Sequence, residues 1–518
     1  MHGRPDTALQ RILPPPASAA APSDGWPLHD TAASREIEAA LAAALPPHSL
    51  MQRAGLAVAR LSMAVQPHAR RVWAAAGPGN NGGDALEAAF HLHRAGRAVS
   101  VSLLGDASRL PADAQASLRR AREAGVSIST TAAPPQRLTS ADLVLDGLLG
   151  LGLSRPPAAE VAAAIGALGR GETPVLAIDL PSGLGADSGQ PLDAACCVHA
   201  RWTLCLLTLK PGLFTGSGRD HVGEVWFDGL RADIDAGPPA GARLLTASPA
   251  ARLRPRRRHA HHKGSYGDLW VVGGAPSMTG AALLASRAAL HAGAGRVYVH
   301  LLDDEYNPGC DPAHPELMFR RRAPGGDTLA AATVVCGCGG GEVVGAALPA
   351  LLLRSRRLLL DADALNAAAA DAQLAQRLAA RRSHGLQTVL TPHPLEAARL
   401  LDCTTAQVQA DRLQAARQLA ERFQAVVVLK GSGSVVAAPK LAPSVNASGN
   451  AALASPGTGD VLAGWVGGLW SQGLDAFDAA RLGVYEHGAA ADAWVAEHGD
   501  DVRPLPAALL LQRLLGGA

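Results

Sequence analysis

Short runs of consecutive apolar residues recur along the chain, each separated from the next by a longer stretch with helical spacing. In the first half the runs are RVWAAA (71–76), AVSVSLLG (98–105), ADLVLDG (141–147), PVLAIDL (174–180) and WTLCLLT (202–208). In the second they are DLWVVGG (268–274), RVYVHLL (296–302), TVVCG (333–337), RLLLDAD (357–363), QTVLTP (387–392) and AVVVLKG (425–431). A strand that is apolar throughout is buried on both faces, so these runs predict parallel sheets flanked by helices. In such an α/β fold, ligands are expected at the C-terminal ends of the strands. Almost every polar or glycine-rich motif of the chain sits at such an end.

A chain of 518 residues exceeds one ordinary core, and its halves share no evident repeat. Two doubly wound α/β domains of different folds are therefore predicted. The Pro/Ala/Ser-rich start predicts a disordered tail over 1–25. A stretch mixing Pro, Gly and Arg, 236–262, marks the break between a first domain at 26–240 and a second at 249–518. The balance of 47 Lys+Arg against 45 Asp+Glu argues against a nucleic-acid partner. Aromatic residues, at 3%, are also too few for base-stacking platforms. Seven scattered cysteines form neither a disulfide framework nor a zinc spacing, which predicts reduced thiols. No apolar run reaches membrane-spanning length and no signal peptide is evident. The expectation is a soluble, cytoplasmic homo-oligomer with no membrane partner.

In the first half, strand 71–76 runs into Gly77-Pro78-Gly79-Asn80-Asn81-Gly82-Gly83-Asp84. The glycines permit positive φ and close backbone approach, so this loop suits a pyrophosphate, although its spacing is not the dinucleotide fingerprint. Read locally, it is also a tight turn with Asp84 capping the next helix. Asp146 and Asp179 close two further strands, the first followed by glycine-rich 147–152, the second by Leu180, Pro181, Ser182 and Gly183. A lone strand-end Asp is often only a turn former. Three loops offering oxygens beside glycines fit a hard cation and a phosphate better.

Together GPGNNGGDA, DGLLGLG and AIDLPSGLGADSG, with LMQRAG (50–55), resemble the epimerase domain of NAD(P)H-hydrate repair enzymes. The resemblance implies a Rossmann-like domain that interconverts the R and S forms of hydrated NADH or NADPH. It places substrate on Asn80, Asn81, Gly82, Gly83 and Asp84, on Gly150, Leu151, Gly152, Leu153, Ser154, Arg155 and Pro156, and on Asp179. It also implies a potassium ion on Asn81, Asp146 and Ser182. Asp179 is the group expected to move a proton at the hydrated ring carbon. Ala85 stands where glycine is common.

The second half opens on the basic run RRRHAHHK, most of it expected to be a solvated linker, with Lys263 a candidate for the rim of a site. Strand ends then carry Gly273-Gly274, Cys336-Gly337-Cys338-Gly339, Asp361-Ala362-Asp363, Thr391-Pro392-His393 and Lys430-Gly431-Ser432-Gly433-Ser434. Lys430 lacks the spacing of a P-loop lysine. Last comes ASPGTGDVLAG (454–464), a glycine turn feeding a helix, which is a natural anion cradle that here ends in the carboxylate of Asp460.

The motifs HHKGSYGDLWVVGG, GAALLASRAALHAGAGRV, LLLDADALN, TPHPLEAARLL, VVLKGSGSVVAAP and GNAALASPGTGDVLAG resemble the ribokinase-like superfamily and, within it, the NAD(P)H-hydrate dehydratases. The resemblance implies hydrate binding by Ala281, Gly339, His393 and Asp460. It implies nucleotide binding by Lys430, Gly431, Ser432, Gly433, Ser434 and Gly459, with ADP or ATP as co-substrate together with magnesium. Asp460 is expected to deprotonate the C6 hydroxyl for attack on the terminal phosphate, while the amides of 457–459 receive the developing charge. Leu395 and Cys338 depart from the usual glycine and proline. The resulting expectation is bifunctional repair of both hydrate epimers. The competing readings are a vitamin-precursor kinase and a first domain that serves only as an interaction module.

Overall fold

The computed structural model describes residues 9–14, 22–152, 156–169, 172–232, 237–306, 308–499 and 503–516. It separates into two compact units, one built on Pro27–Ala242 with the N-terminal strand, the other on Arg243–Ala518 with the segment 20–26.

In the first unit the strands lie in the order Gln10–Leu13, Glu224–Asp228, Trp202–Leu206, Val175–Ile178, Leu143–Gly147, Arg71–Ala76, Ala98–Leu103 and Ser127–Ser129. All neighbours are parallel except the first pair. In the second unit, Met318–Phe319, Arg296–Leu301, Asp268–Gly273, Thr333–Cys336, Arg357–Leu360, Gln387–Leu390 and Val426–Leu429 run parallel. Val435–Ala437 and Ser444–Asn446 then add as antiparallel strands, and Ala242–Leu245 pairs parallel to the latter. The central strands bury nearly every residue, as their unbroken apolar runs predicted. Among the described residues no helix is long and apolar enough to cross a membrane.

Three features differ from the sequence-based expectation. Gln10–Leu13, within the predicted tail, is an edge strand, and the rest of that tail lies partly outside the described residues. Ala242–Leu245 belongs to the second sheet, so the second unit starts at Arg243 rather than 249. Four-residue strands embedded among Pro and Gly carry too little periodicity to be read from sequence. Finally, the loop 80–84 is helix: Asn80–Arg94 starts at Asn80, with Gly79 as its N-cap, so Asp84 is not a cap.

That helix tolerates glycine because contact demands it. A Cβ on Gly82 would lie 1.9 Å from the Gly77 carbonyl oxygen, and one on Gly83 would lie 2.6 Å from the Met51 side chain. The second unit uses the same device where Thr458–Ser471 crosses Thr279–Ala292: a Cβ on Gly464 would lie 2.0 Å from Ala285 O. Both helices are apolar nearly all round, and Trp470, in the first of them, is fully buried. We expect Gly464→Ala to destabilise the second unit by about 1–3 kcal/mol through overpacking. Its denaturant midpoint should fall, whereas Gly166→Ala, whose Cβ meets nothing within 4 Å, should not lower it.

Candidate functional site

Each unit gathers its polar groups where the strands end. In the first, a cavity of about 580 Å³ is lined by Glu38, Asn80, Asn81, Asp84, Gly150, Leu151, Gly152, Asp179 and Lys210, among others. This size suits a small organic ligand. Gly82 and Gly83 are buried behind it and act by letting the helix approach. Pro156 is exposed and outside the lining, and Leu153, Ser154 and Arg155 lie outside the described residues.

Asp179 occupies the left-handed region at φ +66°, a conformation that costs energy without glycine and is held by its surroundings. Its Oδ1 accepts from Leu206 N at 3.1 Å and from Lys210 Nζ at 2.5 Å. Lys210 is 1% exposed and also donates to Leu206 O at 2.8 Å. Burial opposes its charge, but Asp179 outweighs burial and raises the ammonium pKa. Burial, then the Asp179 charge, raises Glu38. Asp84 is pushed well above the carboxylate range by burial, then by Asp179, Glu38 and Glu87. The cavity therefore holds carboxyls that keep a proton to unusual pH, beside one that is salt-bridged.

Asp146 lies behind this wall. Its carboxylate accepts from Ser182 Oγ at 2.6 Å, Ser182 N at 2.8 Å and Leu148 N at 3.3 Å. Asn81 Nδ2 donates to Leu149 O at 2.8 Å, and Leu149 N donates to Ser182 Oγ at 2.9 Å. Asn81, Asp146 and Ser182 are thus brought into one network. Burial pushes Asp146 up to about 6 despite these hydrogen bonds, and no cationic side chain among the described residues counters it. The donor set, a buried carboxylate with hydroxyl, amide and carbonyl oxygens, fits a hard cation.

The second unit has its own cluster. Lys430 Nζ donates to Asp361 Oδ1 at 2.8 Å, and Thr391 Oγ1 donates to the same oxygen at 2.7 Å. Side-chain ligand atoms of Cys338, Asp361 and Asp460 all lie within 4.8 Å of one another. Asp460 is in the first turn of Thr458–Ser471, whose N-cap Gly457 has φ +85°. The helix dipole favours a carboxylate there by about 0.3–1 kcal/mol. Burial, with the Asp361 charge added, wins and raises Asp460 to about 6.

Gly459 sits against this lysine, since a Cβ on it would lie 3.5 Å from Lys430 Nζ. Gly339 and Ala281 are neighbours by the same measure, at 2.9 Å. His393 caps Pro394–Leu401: its Nδ1 accepts from Leu395 N at 3.0 Å, and its Nε2 lies 3.2 Å from Glu396 Oε1. Burial, then Lys430, lowers its pKa and favours the neutral ring that this cap needs. The loop from Lys430 to Ser434 is braced by the buried Arg412, which donates to Leu429 O and Lys430 O at 3.2 and 3.1 Å. Lys263 stands at the N-terminal end of its strand, opposite these groups, so it is no part of the rim.

The family model described as NAD(P)H-hydrate dehydratase matches residues 269–513, and the one described as YjeF-related protein N-terminus matches 47–212. The bifunctional NAD(P)H-hydrate repair enzyme of Escherichia coli is 37% identical over 90% of this chain and 88% of its own. That of Coxiella burnetii is 36% identical over 90% and 94%. The chain belongs to the family of bifunctional NAD(P)H-hydrate repair enzymes. A Bacillus subtilis ADP/ATP-dependent NAD(P)H-hydrate dehydratase structure is 31% identical, covering 51% of this chain and 94% of its own, at a TM-score of 0.44.

Of the residues lining the first cavity, sequence reasoning missed Lys210 and Glu38. Lys210 had a signal, since it follows the strand Trp202–Leu206. Glu38, inside the helix Thr31–Ala44, had none. Removing one member of a buried pair strands the other, which costs about 3–5 kcal/mol. We expect Lys210→Met to lower unfolding free energy in urea on that scale, and Lys210→Met with Asp179→Asn to regain part of it.

Proposed function

We propose that the protein is a bifunctional metabolite-repair enzyme: the first unit epimerises R- and S-NAD(P)H hydrate, and the second dehydrates the S form to NADH or NADPH at the expense of ADP or ATP. The observation that carries this reading is that both strand-end sites are built in one chain resembling repair enzymes over 90% of its length. Seven free thiols suit a cytoplasmic location.

In the first unit Asp84 offers a carboxyl proton to the C6 hydroxyl, which leaves as water while the ring nitrogen's electron pair forms the C6 iminium. Asp179, held by Lys210, takes a proton from the water that re-adds to the opposite face. Asn81, Asp146 and Ser182 would hold the potassium ion, which supplies positive charge beside the substrate-binding loop. In the second, Asp460 removes the C6 hydroxyl proton and the oxygen attacks the terminal phosphate of the nucleotide. Gly459 and its neighbours stabilise the developing charge, and Lys430 to Ser434 bind the nucleotide with its magnesium. Ala281, Gly339 and His393 position the hydrate. Phosphate then leaves from C6 as C5 loses a proton, restoring the dihydronicotinamide ring.

Mixed NADH-hydrate epimers incubated with the protein and ADP or ATP should recover full NADH absorbance. Recovery of the S form alone would overturn the epimerase, and a stable phosphorylated product would favour a kinase. Asp460→Asn should abolish recovery, and Asp179→Ala should leave only slow recovery of the R form. Because Asp460 must be ionised and titrates at about 6, kcat/KM should fall as pH drops through that value. Potassium should raise the melting temperature of the first unit at neutral pH more than equimolar sodium does, and Asp146→Asn should remove the difference.

A further inference from the structure

His487 is 7% exposed and lies in the helix Ala476–His498, outside every motif singled out in the sequence. Its Nε2 lies 2.9 Å from Thr458 O, in a buried hydrogen bond. A carbonyl oxygen only accepts, so Nε2 carries the proton and donates. Burial pushes the ring's pKa down to about 4; the bond to Thr458 O opposes this shift, and Lys430 adds to it. The ring is therefore neutral near pH 7, in the tautomer that this bond requires.

The donor acts on a single peptide group. Thr458 O and Gly459 N–H belong to the same planar, trans unit, so they point in opposite directions. Thr458 opens the helix Thr458–Ser471, and Gly459 N–H is among the first-turn amides that a helix leaves without an internal partner. A donor on the carbonyl fixes the plane of the unit. It also draws electron density toward the oxygen, which makes the N–H a stronger donor. Thr458 is anchored on its other side by its own hydroxyl, which donates to Leu453 O and Ser455 O, both at 2.9 Å. Gly459 itself lies against Lys430, in the cluster with Asp361 and Asp460.

The helix that carries His487 is locked to the loop before this turn. Ser448 Oγ donates to Tyr485 O at 2.8 Å, and Asp492 accepts from Gly449 N at 2.8 Å and Asn450 Nδ2 at 2.9 Å. A Cβ on Gly488 would lie 2.3 Å from Ser448 Oγ. The ring thus reaches Thr458 from a fixed support.

We propose that His487 is a positioning residue of the dehydratase, its Nε2–H holding the Thr458–Gly459 peptide so that Gly459 N–H meets the charge developing in phosphoryl transfer. This rests on the repair reading for the reaction, but the hydrogen bond itself does not. Because that charge develops only in transfer, loss of the donor slows the chemical step more than it weakens binding.

Two measurements on the full-length protein test this. Carbon-13 at threonine carbonyls and nitrogen-15 at glycine amides together isolate three peptides, Thr215-Gly216, Thr279-Gly280 and Thr458-Gly459. The signal lost in Gly459→Ala identifies the last. Its carbonyl shift should move upfield, as hydrogen bonding is lost, in His487→Leu and in His487→Phe, two variants of different shape that lack the donor. It should stay near its place in His487→Gln, which keeps an N–H. A signal unmoved by loss of the donor would overturn the proposal. This readout needs no activity, so failure of wild type to recover NADH would sink the functional reading alone. In the recovery assay on the S hydrate, His487→Leu should lower kcat about tenfold, with both KM values little changed. That is less than the roughly hundredfold cost of deleting an oxyanion donor outright, because the amide remains. His487→Gln should regain most of the loss. An unchanged kcat in His487→Leu, a loss carried by KM, or equal losses for Leu and Gln would refute the role.

Discussion

A lysine held against a strand-end aspartate organises each half of this protein: the buried Lys210 on Asp179 and the partly buried Lys430 on Asp361. The constraint comes from the sheets. Parallel strands covered on both faces leave polar side chains nowhere to go except the C-terminal ends, so acids converge there. Two like charges about 4 Å apart repel by roughly 4 kcal/mol at a protein-like dielectric. A glycine-capped helix end offsets only about 0.3–1 kcal/mol of that. A cation at the centre is what allows Glu38, Asp84 and Asp179, or Asp361 and Asp460, to share a pocket.

The compensation is incomplete, and chemistry follows from the remainder. One positive charge cannot neutralise a cluster of carboxylates held away from water. Some of them therefore keep a proton, as Asp84 does in the first unit, while Asp460 titrates at about 6 in the second. A base poised near neutral pH transfers protons most effectively. The same remainder at Asp146, which has hydrogen-bond donors but no cationic side chain among the described residues, is what a bound cation would cancel.

Glycines make these clusters reachable. Both sites lie at a helix whose N-cap is glycine, Gly79 in one unit and Gly457 in the other. Gly82 and Gly464 then let those helices approach backbone carbonyls where any side chain would collide. The motifs that looked like phosphate loops are thus largely first turns of helices. Their amides and their acids belong to the same turn.

The central strands, the α/β class and the strand-end motifs were legible in the sequence, because unbroken apolar runs and glycine clusters are local signals. Asp460, Asp146 and Asp179 were singled out for the same reason. Residues that act through distant partners were not. Glu38 carries no motif, Arg412 supports the loop from Lys430 to Ser434 from another element, and Lys263 seemed close to a site that the strand direction puts at the far end. Short pairings such as Ala242–Leu245 gain their meaning only from a neighbouring strand. Sequence determined what each strand end carries, since covalent order places those residues there. Tertiary structure decided which lysine meets which acid, and hence which carboxyl holds a proton, because charge interaction depends on distance through space rather than along the chain.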